Sequence, residues 1–443
     1  MKLEPGINRQ IIEQISELKH DPDWMREFRL NCLEIFDELN YPDWGPDISG
    51  LDLNNISSYI KPSTRMVASW EEVPDEISKT FEDLGIPEGE REGLAGVGAQ
   101  FDSELVYHNV KQAVSEQGVI YSGIEEALTG DYADLVHDHF MKLITPHDHK
   151  FAALHGAAWS GGSFVYVPKN TSVTLPLQSY FRFNAPGAGQ FEHTLIIVDE
   201  GGELEFIEGC SAPKYNIANL HAGCVEIFVG KNAYVKYSTV ENWSKNMYNL
   251  NSKRALVEEG GKIEWVTGSF GSRVSMLYPM AILNGRGAQM EYTGVSLAGH
   301  NQDLDTGVKV LHVAPDTKSF MNSKSLAKDG GKNTFRSLVK ILPSAKHASS
   351  FTDCQSLMLD SKSRTDTIPV FDIRRADADI AHEASVGKIN DEAVSYLQTR
   401  GLSETEARAL IVRGFTKDIS KELPLEYALE MNNLIKLEMS ENL

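Results

Sequence analysis

The sequence predicts a mainly β protein in which a parallel β-helix is flanked by helical N- and C-terminal domains. Two observations predict this fold. From about residue 151 onward, short runs rich in Val, Ile, Phe, Tyr and Thr alternate with small turn-forming residues. The turns also recur at a nearly constant spacing, which indicates a repeated structural unit.

The repeat has the length of one coil of a β-helix. Its equivalent turns lie 26 to 32 residues apart, at Asn170, Gly202, Asn232, Gly261, Gly287, Thr317 and Ala345. This period is too long for a hairpin and includes no helical segment for a βαβ unit. A single β-helix coil cannot bury its own apolar face, so coils stack. An antiparallel β-sandwich is the alternative that the repeat leaves open.

Residues 1–150 are predicted to form an N-terminal helical domain. Apolar residues recur at helical spacing over residues 11–18 and 24–39, and Pro22 precedes the second stretch as a helix-start residue. Further short helices are predicted over residues 75–84, 103–117 and 123–143. The β-helix core is assigned to residues 151–378.

Residues 379–443 are predicted to form a C-terminal helical domain. Residues 389–398 have helical spacing, and Gly401 ends that stretch. A last amphipathic stretch covers residues 425–439. Terminal helices of this kind cap a stack of coils or bind a partner protein.

One C-terminal helix carries both start and stop signals. Ser403 and Glu406 have the spacing of a capping box, in which each side chain binds the other residue's backbone N–H. Gly414 is the predicted stop, because glycine readily adopts the left-handed conformation that ends many helices. The sequence therefore predicts a short helix between these signals.

Composition and charge limit the function. The formal net charge is −21, so a cationic surface for nucleic acid is not expected. No apolar run reaches the roughly 20 residues of a membrane span, and no signal peptide is evident at the N-terminus. We expect a cytoplasmic protein that binds neither nucleic acid nor membrane.

The four cysteines, Cys32, Cys210, Cys224 and Cys354, lie far apart and form no CxxC pair. The sequence therefore has neither a zinc knuckle nor a ferredoxin-type cluster motif. It also has no P-loop, because its two Gly-Lys pairs lack the first glycine of that motif. We expect no nucleotide bound by this chain itself, and any cysteine chemistry must come from residues that folding or a second chain brings together.

Cys354 is the most informative cysteine. It follows Asp353 at the end of the strand repeat, and His382 and Glu383 stand together where the helical region is predicted to begin. Thiolate, imidazole and carboxylate together can hold iron. A buried structural cysteine and a His-Glu pair at a helix start explain the same residues, and spacing alone favours that interpretation. Cys210 follows a glycine at the end of a predicted strand. It is either an accessible, reactive thiol or a small buried packing residue.

Segments along essentially the whole chain resemble the SufB/SufD family of the SUF iron–sulfur cluster assembly system. In order, they are DPDWMREFRL, LAGVGAQFDSELVYHNVK, KFAALHGAAWSGGSFVYVPK, GQFEHTLIIVDEGG, EGCSAP, ENWSKNMYNL, SKSLAKDGGKNTFRSLVK, SRTDTIP, HEASVGKI and KELPLEYALEMNNLIKLEM. The HEAS and PDWMREFRL segments resemble the SufB side of the family rather than the SufD side. So many segments in order make the resemblance specific.

The resemblance implies a right-handed parallel β-helix that is a scaffold for iron–sulfur cluster assembly and not an enzyme. It implies that the chain accepts persulfide sulfur and carries a transient iron–sulfur cluster. The implied partners are a sulfur donor, the ATPase SufC at the C-terminal helices, and SufD or a second copy of this chain at the β-helix end. Together these proteins form the SufBCD type of complex.

The resemblance also implies roles for individual residues. Cys210 matches the cysteine that receives sulfur, and Cys354 matches the cysteine where the cluster forms, with Glu383 and His382 beside it. The implied sulfur path is lined by Arg182, Asn184, Glu241 and Trp243. Family members usually have Gln where this chain has Glu241. Because a carboxylate would repel an anionic persulfide, Glu241 must be neutral or hydrogen-bonded.

Two other functions remain open. A SufD-like structural partner, or an adaptor for SufC, would share the fold without a cluster site of its own. A β-helix enzyme that acts on polysaccharide would place paired carboxylates on one exposed sheet. The acidic residues within the strand repeats of this chain are scattered, which disfavours the enzyme.

Overall fold

The structure, a computed structural model, describes residues 1–62, 66–67, 72–74, 94–213, 216–422, 432–433 and 435–436. Strands account for 42% and helices for 21%, and the strands form a parallel β-solenoid of about eight turns with helices at the N- and C-termini. The predicted fold class is therefore confirmed. Within the described residues, no helix is both long enough and apolar enough to cross a bilayer.

The helices of the N-terminal part are short. They are α1 (Arg9–Lys19), α2 (Asp23–Glu38), a 3-10 turn (Leu53–Asn55), α3 (Gln112–Ser115), α4 (Ile124–Thr129), α5 (Ala133–His139) and α6 (Lys150–Ala158). The first two confirm the helical patterns over residues 11–18 and 24–39. The Asn8 side chain caps α1 by accepting from the Ile11 N–H, and Pro22 is the N-cap of α2. The predicted helix over residues 75–84 lies outside the described residues.

Twenty-three strands build the solenoid and its N-terminal edge. They are β1 (Gly96–Phe101), β2 (Glu104–Val110), β3 (Ile120–Gly123), β4 (Ser163–Val167), β5 (Leu177–Arg182), β6 (Gly189–Gln190), β7 (His193–Val198), β8 (Glu203–Ser211), β9 (Asn219–His221), β10 (Cys224–Val229), β11 (Tyr234–Asn242), β12 (Met247–Asn249), β13 (Ser252–Val257), β14 (Lys262–Phe270), β15 (Val274–Leu277), β16 (Met280–Leu283), β17 (Gln289–Ala298), β18 (Asp303–His312), β19 (Lys318–Ala327), β20 (Lys332–Ile341), β21 (Ser349–Met358), β22 (Arg364–Ile373) and β23 (Asp379–Lys388). This count covers the described part of the chain.

The strands form two long sheets. Sheet one has the order β2-β1-β5-β8-β11-β14-β17-β19-β21-β23, and sheet two has the order β3-β4-β7-β10-β13-β16-β18-β15-β12-β9-β6, with β20 and β22 continuing from β18. Among the described strands only two neighbouring pairs run antiparallel, β1 with β2 and β3 with β4, both at the N-terminal end. The antiparallel β-sandwich is therefore the wrong alternative.

The turns of successive coils stack on one another. Asn170 and Asn232 both have a φ of 55°, and the glycine of the next coil, Gly201 or Gly260, is left-handed as well. A Cβ on Gly201 would lie 2.5 Å from the Asn170 side-chain oxygen, so glycine is required by this close approach. The turns predicted at Asn170, Asn232 and Gly287 coincide with left-handed residues of the structure.

A row of large apolar side chains runs along the inner face of sheet one. Phe206, Tyr237, Trp265, Tyr292 and Met321 occupy the same register position on successive strands, and all are buried. The Phe206 and Tyr237 rings stack with centroids 5.5 Å apart. Burying such a side chain contributes about 1.5–3 kcal/mol, so this row binds each coil to the next.

Two secondary-structure predictions need correction because strands form where helices were expected. Residues 103–117, predicted as a helix, form β2 and the short α3, because β2 completes its backbone hydrogen bonds by pairing with β1. Residues 379–388, predicted to begin the helical domain, form β23, which pairs along its whole length with β21. The strands therefore continue ten residues beyond the predicted boundary at 378. In both cases non-local pairing outweighs local propensity.

The C-terminal helices are α7 (Asp391–Thr399) and α8 (Glu404–Glu422). The capping box is confirmed, since the Ser403 N–H donates to Glu406 and the Glu406 N–H donates to Ser403. The predicted stop at Gly414 is wrong, because α8 continues through it; a helical glycine costs only about 1 kcal/mol. Most of residues 425–439 lies outside the described residues.

The last helix packs on the outer face of sheet one. Val412 and Ala407 of α8 share an apolar cluster with Val295 and Leu326 of the sheet. The C-terminal part thus covers the side of the solenoid and not its end.

Candidate functional site

Cys210 lies inside the solenoid. Side chains alternate along β8, so Leu204, Phe206, Glu208 and Cys210 all point inward. The thiol is 1% exposed, and its sulfur lies 3.8 Å from Glu208 Oε1. Burial and the Glu208 carboxylate raise the pKa of Cys210 well above its usual value. The residue is therefore a protonated thiol that faces a carboxylate.

A buried lysine from sheet two completes this corner. The Lys253 ammonium crosses the interior from β13 and donates to Glu208 Oε1 at 2.6 Å and to Thr239 Oγ1 at 2.9 Å. The hydroxyl of Tyr237 donates to the other oxygen of Glu208. Burial opposes the charge on Lys253, but Glu208 and Glu241 outweigh it and raise its pKa. Cys210 therefore has a fixed positive charge close by.

A second buried ion pair lies close to Cys210, and His221 is its positively charged member. Asn249 donates its amide N–H to Glu241 Oε2 at 2.8 Å, so its amide oxygen accepts from His221 Nδ1, also at 2.8 Å. His221 Nε2 lies 2.5 Å from Glu192 Oε1. Both ring nitrogens therefore donate, which makes His221 an imidazolium. Although burial works against this charge, Glu192 raises the pKa of His221 overall.

Polar atoms without partners surround the Cys210 corner. Trp243 shares an apolar cluster with Cys210, and its ring centroid lies 4.4 Å from that of His221. Trp243 Nε1 and Glu241 Oε1 are buried and have no hydrogen-bond partner in the described part of the chain. Each such group costs about 1–3 kcal/mol. Both atoms therefore have unused hydrogen-bonding capacity next to Cys210.

Two register rows run from Cys210 to Cys354 along the inner face of sheet one. We call them the polar lane. The first row is Glu208, Thr239, Thr267, Gly294, Ser323 and Cys354, and the second is Cys210, Glu241, Ser269, Ser296, Ser325 and Ser356. All twelve residues are buried. The two cysteines are five strands apart, or about 24 Å at about 4.8 Å per strand.

Cys354 forms a pair with His382 at the far end of the polar lane. Its sulfur lies 3.4 Å from His382 Nε2, on the neighbouring strand β23. Burial and Asp353 raise the pKa of Cys354 to about 12, while burial lowers that of His382. At neutral pH the pair is therefore a thiol and a neutral imidazole, both able to bind a metal ion once the thiol loses its proton.

The structure gathers some of the implied site residues and separates others. Glu241 is the register partner of Cys210, and Trp243 lies beside it. Glu383 alternates to the opposite side of β23 from His382 and pairs in register with Asp353. Arg182 binds Ser211 Oγ at 2.8 Å, on the side of the sheet opposite Cys210.

Asn184 is the remaining residue of the implied path. Its backbone N–H donates to Asp102 at 2.7 Å, just beyond the end of β5. This places it outside the polar lane. The roles that the resemblance implies for all these residues stay predictions.

Lys253, Glu208 and His221 are site residues that were not predicted from the sequence. A signal for the first two was present, because strand alternation in ELEFIEGCS and SKRALV puts Glu208 and Lys253 at inward positions beside apolar residues. For His221 no such local signal exists, since β9 has three residues. Its partners come from β6–β7 and β12, which only the stacked coils bring together.

No resident metal site is visible in the described part of the chain. Nowhere there do three His, Cys, Asp or Glu side chains come together in a way that could hold a metal ion. Cys354 and His382 supply two donors. A cluster bound here would need donors from a further chain or from the sulfide that it incorporates.

Comparison with known proteins covers almost the whole chain. The family described as "SUF system FeS cluster assembly, SufBD core domain" matches residues 181–415, and "SufBD protein N-terminal region" matches residues 18–179. The chain is 48% identical to the iron–sulfur cluster assembly protein SufB of Bacillus subtilis, covering 98% of this chain and 94% of that protein. It is 47% identical, with the same coverage, to iron–sulfur cluster assembly SufBD family proteins of Staphylococcus epidermidis and Staphylococcus aureus.

Proposed function

Because this chain belongs to the SufBD family of iron–sulfur cluster assembly proteins, we propose that it is a scaffold component of the SUF system on which iron–sulfur clusters are assembled. It receives sulfur at Cys210, passes that sulfur through the solenoid, and holds the growing cluster at Cys354. It works with the ATPase SufC and with SufD or a second copy of itself.

The polar lane is the observation that carries this proposal. A solenoid gains stability by filling its interior with apolar side chains, yet here two rows of Ser, Thr, Gly and Glu join the two cysteines. Ser325 Oγ and Glu241 Oε1, both in the lane, have no partner within the described residues. A hydroxylated passage of small side chains suits a small sulfur anion that must be shielded from bulk water.

Cys210 has the surroundings of a sulfur acceptor. Its thiolate would attack the outer sulfur of a donor persulfide, whose S–S bond breaks so that the donor leaves as a thiolate. The Cys210 proton passes to Glu208, 3.8 Å away. Lys253 then offsets the negative charge of the persulfide formed on Cys210. Because the thiol is 1% exposed, delivery requires a local opening around it.

Direct thiol exchange between Cys210 and Cys354 is ruled out by their separation of about 24 Å. The lane must therefore carry a small mobile species. A polysulfide anion satisfies this need. Hydrosulfide attacks the outer sulfur of the Cys210 persulfide, whose S–S bond breaks to give back the Cys210 thiolate, and the new S–S bond of HSS⁻ carries the sulfur. The Cys354 thiolate then attacks that outer sulfur, and hydrosulfide leaves. The transfer as a whole involves no net oxidation or reduction.

The C-terminal helices connect the Cys354 end to a partner. Arg408 of α8 donates to the Leu359 carbonyl at 3.1 Å, just beyond β21, which carries Cys354. SufC bound to these helices could therefore transmit its ATP-driven closure to the Cys354 region. Iron would enter there when SufD or a second copy of the chain moves at the solenoid end.

Replacement of Cys354 tests the proposal. The Cys354→Ala complex with SufC and SufD should assemble and should keep sulfane sulfur on Cys210, but it should form no cluster under anaerobic reconstitution with iron and sulfide. Cys32→Ala, which removes a buried thiol from α2 outside the lane, is the control and should form cluster normally. Normal cluster yield in Cys354→Ala would contradict the assignment and would favour a SufD-like adaptor without its own cluster site.

A further inference from the structure

A cavity of about 350 Å³ lies between the N-terminal part and sheet two, outside the polar lane. Its inner wall is formed by Arg254 on β13, Met280 on β16 and Lys309 on β18, which share one register row. Because the neighbouring Lys253 points into the solenoid, alternation places Arg254 on the outer face. The facing wall includes Trp44 and Asp148 from the N-terminal part.

The cavity holds more positive than negative charge. Arg254 binds Asp148 at 2.7 Å, which balances one cation. Lys309 has no carboxylate within salt-bridge distance among the described residues, and its ammonium lies 5.0 Å from the centre of the Tyr278 ring. His149 is neutral, because its Nδ1 accepts from the Ala152 N–H. A half-buried cation without a counter-ion is costly unless a ligand supplies one.

Two further observations agree with a missing anion. Arg254 Nε is a buried donor that has no hydrogen-bond partner in the described part of the chain. Burial and the nearby Arg254 guanidinium lower the pKa of Lys309, and together they outweigh the opposing effect of the Asp148 carboxylate, which is already bound to Arg254. Lys150 also lines the cavity, but it donates to the carbonyls of Phe36 and Leu39 and is satisfied.

The cavity also has a flat aromatic side. The Trp44 ring is 44% exposed and lies 5.8 Å from the Tyr278 ring at an angle of 47°. The Arg336 guanidinium lies over the Trp44 ring, 5.3 Å from its centre, and the tryptophan is still partly exposed. Beside an unpaired cation, these rings favour a ligand that has both an acidic group and a flat apolar body.

We propose that this cavity binds a small organic anion, an aromatic phosphate or carboxylate. Its acidic group binds the Lys309 ammonium. Its ring lies against Trp44 and Tyr278. The site lies outside the polar lane, so its occupancy can be tested without cluster assembly.

Calorimetry with 2-naphthyl phosphate, inorganic phosphate and 2-naphthol tests the site on the full chain. We expect 2-naphthyl phosphate to bind with one-to-one stoichiometry, and each of the other two probes to bind at least about ten-fold more weakly, since one charge-assisted hydrogen bond contributes about 1.5–3 kcal/mol. If 2-naphthol binds as tightly as 2-naphthyl phosphate, the cavity is only apolar and the proposal fails.

Matched variants identify the cation responsible. Lys309→Gln should weaken binding of 2-naphthyl phosphate at least about ten-fold, whereas Lys309→Arg should retain it. Lys318→Gln removes the same charge from an exposed position of β19 and should change nothing. Equal affinity in Lys309→Gln and the unmodified chain would overturn the proposal.

A second test uses only the unmodified chain, so its result does not depend on whether a variant folds correctly. Acetic anhydride acetylates accessible lysines, and mass spectrometry reports the extent at each one. Saturating 2-naphthyl phosphate should protect Lys309 and leave Lys318 equally reactive. Unchanged acetylation of Lys309 would show that the ligand binds elsewhere, which would also overturn the proposal.

Discussion

Ionisable side chains surround Cys210 in a part of the solenoid that water does not reach. Lys253 and His221 carry positive charge, and Glu208 and Glu192 balance them at 2.6 Å and 2.5 Å. Glu241 is the third carboxyl group and has no cation of its own within salt-bridge distance in the described residues. Burial raises the pKa of Glu241, so its neutral form is favoured. A protonated Glu241 has nearly the shape and the charge of a glutamine.

Glu241→Gln should therefore stabilise the protein at neutral pH. The folded-state pKa of Glu241 lies above its unfolded value of about 4.5, so stability is lost as pH rises from about 4.5 through the folded pKa. Glutamine cannot ionise and avoids this loss, which is about 1.4 kcal/mol for each unit of pKa shift. Urea unfolding of both proteins between pH 4 and pH 8 measures how the free energy of unfolding changes with pH.

The control is Glu34→Gln, which changes an exposed carboxylate on α2. It should leave the pH dependence of the unfolding free energy unchanged. A Glu241→Gln protein that is less stable than the unmodified chain at pH 7 would show that an ionised Glu241 stabilises the fold, and that Lys253 pairs with it more strongly than burial opposes it.

At the scale of elements, the inner face of sheet one has an apolar row and, beside it, the polar lane. One end of each strand contributes a large apolar residue such as Trp265, and four residues later the same strand contributes Ser269. Parallel in-register stacking repeats each position from coil to coil. The apolar row thus stabilises the stack, while the polar lane keeps Ser, Thr, Gly and Glu at neighbouring register positions from strand to strand.

Filling the polar lane should stop sulfur transfer. Ser325→Leu adds a bulky apolar side chain between Cys210 and Cys354, and overpacking of this kind costs about 1–3 kcal/mol of stability. We expect sulfane sulfur to remain on Cys210 while cluster yield falls to the level of Cys354→Ala. Cyanolysis measures the sulfane sulfur, and iron and sulfide analysis measures the cluster.

Ala281→Leu is the matched control for that change. Ala281 is fully buried in the apolar interior on sheet two, outside the lane, so the substitution overpacks the solenoid to a similar degree. Its cluster yield should stay close to that of the unmodified chain. Equal loss of yield in both variants would attribute the effect to destabilisation and not to the lane.

At the scale of the whole molecule, the solenoid is closed at its N-terminal end and open at the other. The described strands β22 and β23 each pair on one side only. Phe371 and Val386 point toward the interior, yet they are 40% and 55% exposed, because no further coil of the described residues covers them. An apolar core that ends at two free strand edges is well suited to binding a second solenoid.

Val386→Lys should therefore prevent the proposed association with SufD or with a second copy of the chain. Burying an unpaired ammonium at an apolar contact costs several kcal/mol, whereas the free chain tolerates lysine at an exposed position. Light scattering coupled to size exclusion measures the assembly state. Tyr396→Lys, at an exposed site on α7 that is 58% accessible, is the control and should assemble normally. Unimpaired assembly of Val386→Lys would place the interface elsewhere.

Local sequence determined the solenoid itself. Left-handed turns at Asn170 and Asn232 and strand alternation between them are encoded over a few residues, so they could be predicted without knowledge of contacts. The helix caps at Asn8 and Ser403 are local in the same way. The resemblance to the SufB/SufD family likewise came from short segments, and it was the source of the implied roles of Cys210 and Cys354.

Tertiary structure decided the site. The register of sheet one aligns Thr267 and Ser296 into a lane, and no local pattern fixes a register between strands about 30 residues apart. The sequence pattern of residues 379–388 does not distinguish a helix from a strand. These residues form a strand because they complete their backbone hydrogen bonds by pairing with β21. That pairing brings His382 to within 3.4 Å of Cys354. Hydrogen bonds between distant strands are not local, and for that reason only the folded solenoid determines where the polar lane runs and where it ends.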